Sequence, residues 1–76
     1  MFPRIISDPA ILGGKPCVKG TRISVEFILE LVASGASRDD IAQSYPQLTA
    51  ADVEEALNFA AQSLGNDTIM TAEISR

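Results

Sequence analysis

Residues 24–65 contain three successive helix signals, and no other feature of this sequence constrains the fold as strongly. Each signal begins with a Ser or Thr that can cap a helix and closes with a Gly or Pro that ends one. In the second and third signals an aspartate follows the cap by three residues, as in a capping box. The predicted helices run from Ser24 to Gly35, from Ser37 to Pro46, and from Thr49 to Gly65.

Apolar residues within these segments recur at helical spacing, which predicts buried stripes. The first helix has a main stripe and a second one, Phe27 with Leu31, on a different side, and a helix that is apolar on two sides is usually covered on two sides. In the second helix Ile41, Ala42 and Tyr45 are predicted to point inward. The main stripe of the first helix is Val25, Ile28, Leu29 and Val32; that of the third helix is Val53, Ala56, Leu57, Ala60 and Leu64.

The N-terminal segment, residues 1–23, is rich in Gly and Pro and has no helical period, so it is predicted to form short extended pieces joined by turns. The strand candidates are Ile5-Ile6 and Cys17-Val18, with reversals at Asp8-Pro9 and Gly13-Gly14. Because two such strands are not stable alone, they must lie on the helices or pair with another copy. We therefore expect a mainly α fold: a trihelical helix-turn-helix domain over residues 1–65 with a short N-terminal β element, followed by a tail over 66–76.

The composition argues against catalysis and metal binding. The chain has no histidine and a single cysteine, Cys17, so a disulfide within the chain is impossible and a zinc site lacks its usual ligands. A general base tuned near neutral pH is also missing. The run from Gly13 to Pro16 lacks the spacing of a phosphate loop. We expect a protein that is not an enzyme, has no cofactor or metal, has no membrane span and is cytoplasmic.

The charges are unevenly distributed. Residues 1–22 carry four basic residues and one acid, hence +3, whereas residues 23–76 carry two basic residues and nine acids, hence −7. A third helix with outward Asp52, Glu55, Asn58, Phe59 and Gln62 would repel DNA phosphates, so direct reading of the major groove by that helix is not expected. The candidate DNA-binding residues are instead Lys15, Lys19, Arg22 and Arg38.

The Gly20-Thr21-Arg22 segment has two readings. Gly20 permits a tight turn and Thr21 can bond the local backbone. Arg22 can hold carbonyls or carboxylates of its own chain, or it can contact DNA, and the sequence leaves both open.

Exposed aromatic residues among polar neighbours tend to mark protein contacts. Phe27, Leu31 and Phe59 are accordingly predicted to form a self-association face, with ordinary core packing as the alternative. In the tail, Ile69, Met70 and Ile74 stand among polar residues and are candidate anchors that fold on binding a partner.

A set of short motifs from Arg4 to Ala61 resembles the family known as domain of unknown function 433. The motifs are Asp8-Pro9, Leu12-Gly13-Gly14-Lys15-Pro16, Lys19-Gly20-Thr21-Arg22-Ile23, Gly35, Tyr45-Pro46, Leu48-Thr49, Asp52-Val53 and Ala56-Leu57. The resemblance implies a homeodomain-like helix-turn-helix fold. It also implies an antitoxin similar to the VapB type, encoded beside a PIN-like nuclease toxin.

The function expected from the sequence is therefore that of a homodimeric antitoxin that binds its cognate toxin and can also bind its own promoter DNA. The alternative is a homodimeric protein-protein adaptor that does not bind DNA.

Overall fold

The computed structural model describes residues 2–64 of the chain; the predicted helix end at Gly65 and the tail 66–76 lie outside this range. The described elements are β1 (Ile5–Ile6), a 3-10 turn (Leu12–Gly14), β2 (Cys17–Val18), α1 (Val25–Ala33), α2 (Arg38–Ser44) and α3 (Ala50–Leu64). The predicted fold class is confirmed: residues 2–64 are mainly helical, with three helices and a short β element near the N-terminus.

The helices begin where the sequence predicts, because their capping side chains take up the free backbone N–H groups of the first turn. The Ser24 hydroxyl accepts a hydrogen bond from the Phe27 N–H at 2.9 Å. Ser37 forms a reciprocal capping box with Asp40, at 3.0 and 3.1 Å. Thr49 and Asp52 repeat this arrangement at the start of α3, at 2.9 and 3.1 Å.

The helix ends also follow the sequence. Beyond α1, Gly35 has a φ of +108°, a value that strains any residue with a Cβ, and its N–H bonds the carbonyl of Val32 at 2.9 Å. Pro46 follows Tyr45, which has an extended backbone and ends α2. A short connection then leads into α3, so α2 and α3 form the helix-turn-helix pair.

The two strands pair with each other in an antiparallel ribbon, with Ile5 opposite Val18 and Ile6 opposite Cys17. Both strands contact α3, so the ribbon is stabilised by packing on the helices of its own chain, which is the first of the two predicted possibilities. The chain reverses at Asp8, whose carbonyl accepts the Ile11 N–H at 2.8 Å, and again in the 3-10 turn that contains Gly13-Gly14.

The core lies where the two strands and three helices meet, and every described element except the 3-10 turn contributes to it. Its buried members are Val18, Val25, Ile28, Ile41, Leu48, Val53, Ala56 and Ala60, with Leu29, Val32, Tyr45 and Leu57 among the partly buried residues packed against it. One predicted core residue is misplaced: Leu64, in the last turn of α3, is 61% exposed.

Candidate nucleic-acid and partner-binding surfaces

A tight turn between β2 and α1 presents two cations to solvent. The carbonyl of Val18 accepts the Thr21 N–H at 3.0 Å and the Thr21 hydroxyl at 2.8 Å, and that hydroxyl accepts the Ile23 N–H at 3.0 Å. Gly20 has a φ of +83°, as such a turn requires. The predicted roles of Gly20 and Thr21 are confirmed. Lys19 and Arg22 flank Gly20 and Thr21 in this turn, and both are exposed. We refer to it as the Lys19–Arg22 turn.

The other three basic side chains within residues 2–64 are engaged in ion pairs. Lys15 Nζ lies 3.1 Å from a carboxylate oxygen of Glu26, and the two side chains are 63% and 65% exposed. Arg38 pairs with Glu54 in the same way. Neither the ammonium of Lys19 nor the guanidinium of Arg22 forms an ion pair among the described residues, although Lys19 lines a shallow pocket together with Asp52 and Glu55. Of the four candidate DNA-binding residues, only Lys19 and Arg22 are therefore without an ion pair within residues 2–64.

The third of these basic side chains, Arg4, shows that one prediction about α3 is wrong. Asp52 and Glu55 were expected to face outward, but Asp52 is 9% exposed and Glu55 is half-buried. Arg4 covers both: its guanidinium lies 3.2 Å from Asp52 and 3.4 Å from Glu55, and its backbone N–H donates to Glu55 at 2.6 Å. This face of α3 is occupied by the chain's own N-terminal segment and is not available to DNA.

The three residues predicted to form a self-association face contact different parts of the chain. Phe27 is 37% exposed and makes an edge-to-face contact with Tyr45 of α2, with ring centroids 5.6 Å apart. Leu31 is partly buried against the core. Phe59 is also partly buried and makes an edge-to-face contact with Phe2 at 5.4 Å. The prediction that Phe59 is exposed is thus wrong. The role of Phe27, Leu31 and Phe59 in self-association stays a prediction.

Within residues 2–64 no three acidic or thiol side chains come together in a way that could hold a metal ion. Cys17 is fully buried in β2. The pKa of one carboxyl is displaced: hydrogen bonds from the backbone and hydroxyl of Ser37 lower the pKa of Asp40 below 3.8, against a small opposing effect of desolvation. This stabilises the α2 cap. None of the helices in the described part of the chain is long and apolar enough to cross a membrane.

Comparison with known proteins identifies the family. The model of the family "Protein of unknown function (DUF433)" matches residues 5–60, from β1 to the fourth turn of α3. The chain belongs to the DUF433 family. A crystal structure of a DUF433 member protein from Anabaena variabilis is similar to it, with a TM-score of 0.73 and 29% sequence identity over 96% of this chain and 69% of that one. The family predicted from the sequence motifs is confirmed.

Two curated relatives of this DUF433 chain are described as uncharacterized. Protein y4eO of Sinorhizobium fredii is 38% identical over 56 residues, which are 74% of this chain and 25% of the relative. Protein Rv2308 of Mycobacterium tuberculosis is 31% identical over 58 residues, which are 76% of this chain and 24% of the relative. The DUF433 chain thus spans about a quarter of the length of these relatives.

The residues that the sequence reasoning missed in this DUF433 chain are Phe2 and Arg4. Both lie outside any periodic pattern, and they contact residues of α3 about fifty positions away. The available signal was in α3 itself, where Asp52, Glu55 and Phe59 are spaced i, i+3 and i+7 and so share one face. A face with two acids and an aromatic ring suits a partner that supplies a cation and a second ring.

Proposed function

We propose that this chain is the antitoxin of a type II toxin-antitoxin pair, and that it contacts its own promoter DNA through the Lys19–Arg22 turn. The observation that carries the DNA contact is the pair of exposed cations on one hydrogen-bonded turn, neither of which forms an ion pair within residues 2–64. The antitoxin role draws on the family resemblance, which implies a PIN-like nuclease as cognate toxin. The acidic balance of the chain, −4 overall, suits a partner with a basic surface. A cytoplasmic location belongs to this proposal.

The geometry favours contacts with phosphates over contacts with bases. Lys19 and Arg22 stand on a turn rather than on a helix long enough to lie in the major groove. Two such turns in a homodimer would offer four cations to the DNA backbone. Binding of this kind is strongly weakened by salt, because each phosphate contact releases condensed counterions.

The proposed DNA contact is tested by gel-shift measurements with the DNA upstream of the gene that encodes this chain, at several salt concentrations from about 50 mM upward. Replacing Lys19 and Arg22 with Ala is expected to weaken binding and to lower the salt slope by about 1 for each phosphate that is no longer neutralised. The matched control replaces Lys15 and Arg38, whose charges Glu26 and Glu54 already offset, and is expected to change the slope less. An unshifted fragment, or equal effects of the two double variants, would show the turn is not the DNA contact.

The toxin contact is proposed to involve the tail, through Ile69, Met70 and Ile74. Co-expression with the adjacent open reading frame tests the antitoxin role: the two products should co-purify, and toxicity of the neighbour should be relieved. Deleting residues 66–76 should abolish the complex and leave self-association intact. If the truncated chain still binds the toxin, the tail is not the contact; if the full chain neither binds nor protects, the antitoxin role itself is wrong.

The second candidate is a homodimeric adaptor that binds proteins and not DNA. One observation favours it: ion pairs already neutralise three of the five basic side chains within residues 2–64, which leaves little positive surface. In either role we propose that the predicted self-association face consists of Phe27 and Leu31 without its third member, Phe59, because Phe59 packs on Phe2 and the core. The absence of a DNA shift, together with co-purification of a protein partner, would favour the adaptor.

A further inference from the structure

An apolar groove lies between α1 and α3, on the side of α1 away from Phe27. It has a volume of about 240 Å³ and no covering element within residues 2–64. The main polar group at its rim is the exposed Lys15–Glu26 ion pair. The groove offers an apolar surface, rimmed by charge, on which further apolar side chains can pack. Its walls are Pro16, Val25, Leu29, Phe59, Ala60 and Leu64.

We propose that, while no toxin is bound, the C-terminal segment of the same chain, residues 65–76, docks in this groove through Ile69, Met70 and Ile74, the side chains that a bound toxin would instead engage. The first reason is position. Leu64, the last described residue, is itself part of the groove wall, so the chain leaves the described fold at the edge of the groove. Leu64 is 61% exposed, and a segment turning back across it would cover an apolar side chain that nothing else in residues 2–64 covers.

The second reason is reach. Ile69 follows Leu64 by five residues, and an extended chain covers up to roughly 17 Å in that length. The helical stretch from Phe59 to Leu64 rises only about 7.5 Å along its axis. Ile69 and Met70 can therefore reach back along the whole α3 wall of the groove. Gly65, the residue type that most often reverses a chain after a helix, stands at the junction.

The third reason is the size of the groove, which argues for a tethered segment over a second copy of the chain. Nine residues line it, whereas a stable interface between two proteins uses about 20–30 residues on each side. A segment joined by a short linker needs less contact, since its effective concentration beside the groove is in the millimolar range. Three apolar side chains on a tether match a small apolar groove better than a second folded chain does.

Methyl NMR on the full-length chain tests this proposal without a toxin, so its outcome is independent of the antitoxin role. We expect nuclear Overhauser effects from Ile69, Met70 or Ile74 to the methyl groups of Leu29 and Leu64. These effects should disappear, with shifted Leu29 and Leu64 signals, in the triple variant I69S, M70S and I74S. The control T68S with T71S alters the same segment without removing an apolar side chain and should retain them. Far-UV circular dichroism of both variants checks that the helices of residues 2–64 are retained.

Three outcomes would overturn the proposal. The first is an absence of these effects in the unmodified chain. The second is an equal change of the Leu29 and Leu64 signals in the triple variant and in the control. The third is that the effects occur only between differently labelled chains in a mixed sample, which would assign the groove to a second copy.

Discussion

Arg4 joins the N-terminal segment to α3 through two carboxylates of different exposure. Its own side chain is 48% exposed, while the side chains of Asp52 and Glu55 are 12% and 18% exposed. Asp52 also accepts the Thr49 N–H, so a single carboxylate serves both the helix cap and the ion pair. A carboxylate this well covered depends on its partners, because an unpaired charge is costly to bury.

Replacing Arg4 with Ala is expected to lower the free energy of unfolding by about 1 kcal/mol, since the pair is only half shielded from solvent. For a chain of this length that corresponds to a fall in Tm of about 4–8 °C. Arg22→Ala is the matched control: an exposed arginine with no ion pair in the described chain, whose replacement should change stability by less than about 0.5 kcal/mol. Equal Tm values for the two variants would contradict a structural role for Arg4.

The lowered pKa of Asp40 makes part of the stability dependent on pH. The backbone and hydroxyl of Ser37 hold that pKa below 3.8. The Asp40 carboxylate therefore contributes its full stabilisation at pH values above its pKa in the unfolded chain, and this stabilisation is lost as the pH falls through its pKa in the folded chain. The chain should be more stable than the variant D40N at neutral pH, and this advantage should shrink in acid. Urea unfolding at a series of pH values measures it; an advantage that stays constant to the acid limit would contradict the assignment.

At the scale of elements, the sequence predicted the helices and strands well because their determinants are local. The caps at Ser24, Ser37 and Thr49 each act within three residues, and the Ile5-Ile6 and Cys17-Val18 strands are framed by nearby turns. The covering of α3 by Phe2 and Arg4 was missed because it depends on the tertiary path of the N-terminal segment. An i, i+3, i+7 pattern shows that three residues share a face, but not what covers it.

Only part of the candidate site could be predicted, because some of its determinants are local and others depend on tertiary packing. The Lys19–Arg22 turn was recognised from Gly20 and Thr21, whose effects are confined to the turn. The neutralisation of Lys15 by Glu26, eleven residues away, required the packing of the turn region on α1. Counting charges along the chain therefore gave a larger basic cluster than the surface displays.

The cap of α3 offers a direct test at this scale. Thr49→Ala removes the hydroxyl that accepts the Asp52 N–H and is expected to lower the free energy of unfolding by about 1 kcal/mol. Thr49→Ser keeps the hydroxyl and should restore most of that stability. Far-UV circular dichroism during urea unfolding measures both variants, and equal destabilisation of the two would show that the hydroxyl does not carry the effect.

At the scale of the whole molecule, the small core makes self-association a natural source of extra stability, since a chain of this length buries only about 60% of the surface its unfolded form exposes. Phe27 is among the few large apolar residues of residues 2–64 that remain exposed. Phe27→Glu is expected to convert a homodimer into a monomer in light scattering. Phe27→Leu, which keeps an apolar side chain, should remain dimeric. A monomeric unmodified chain, or a dimeric Phe27→Glu variant, would rule out this face.

The contacts of Arg4 with Asp52 and Glu55 join residues 48 and 51 positions apart, whereas α2 and α3 are neighbours in the chain. Closing so long a loop costs entropy before any contact forms, so the helix pair is expected to assemble first and the N-terminal segment to attach after the folding transition state. In stopped-flow kinetics Arg4→Ala should then speed unfolding and leave the folding rate nearly unchanged. The Arg4 contact would in that case determine how long the folded chain persists and not how quickly it forms.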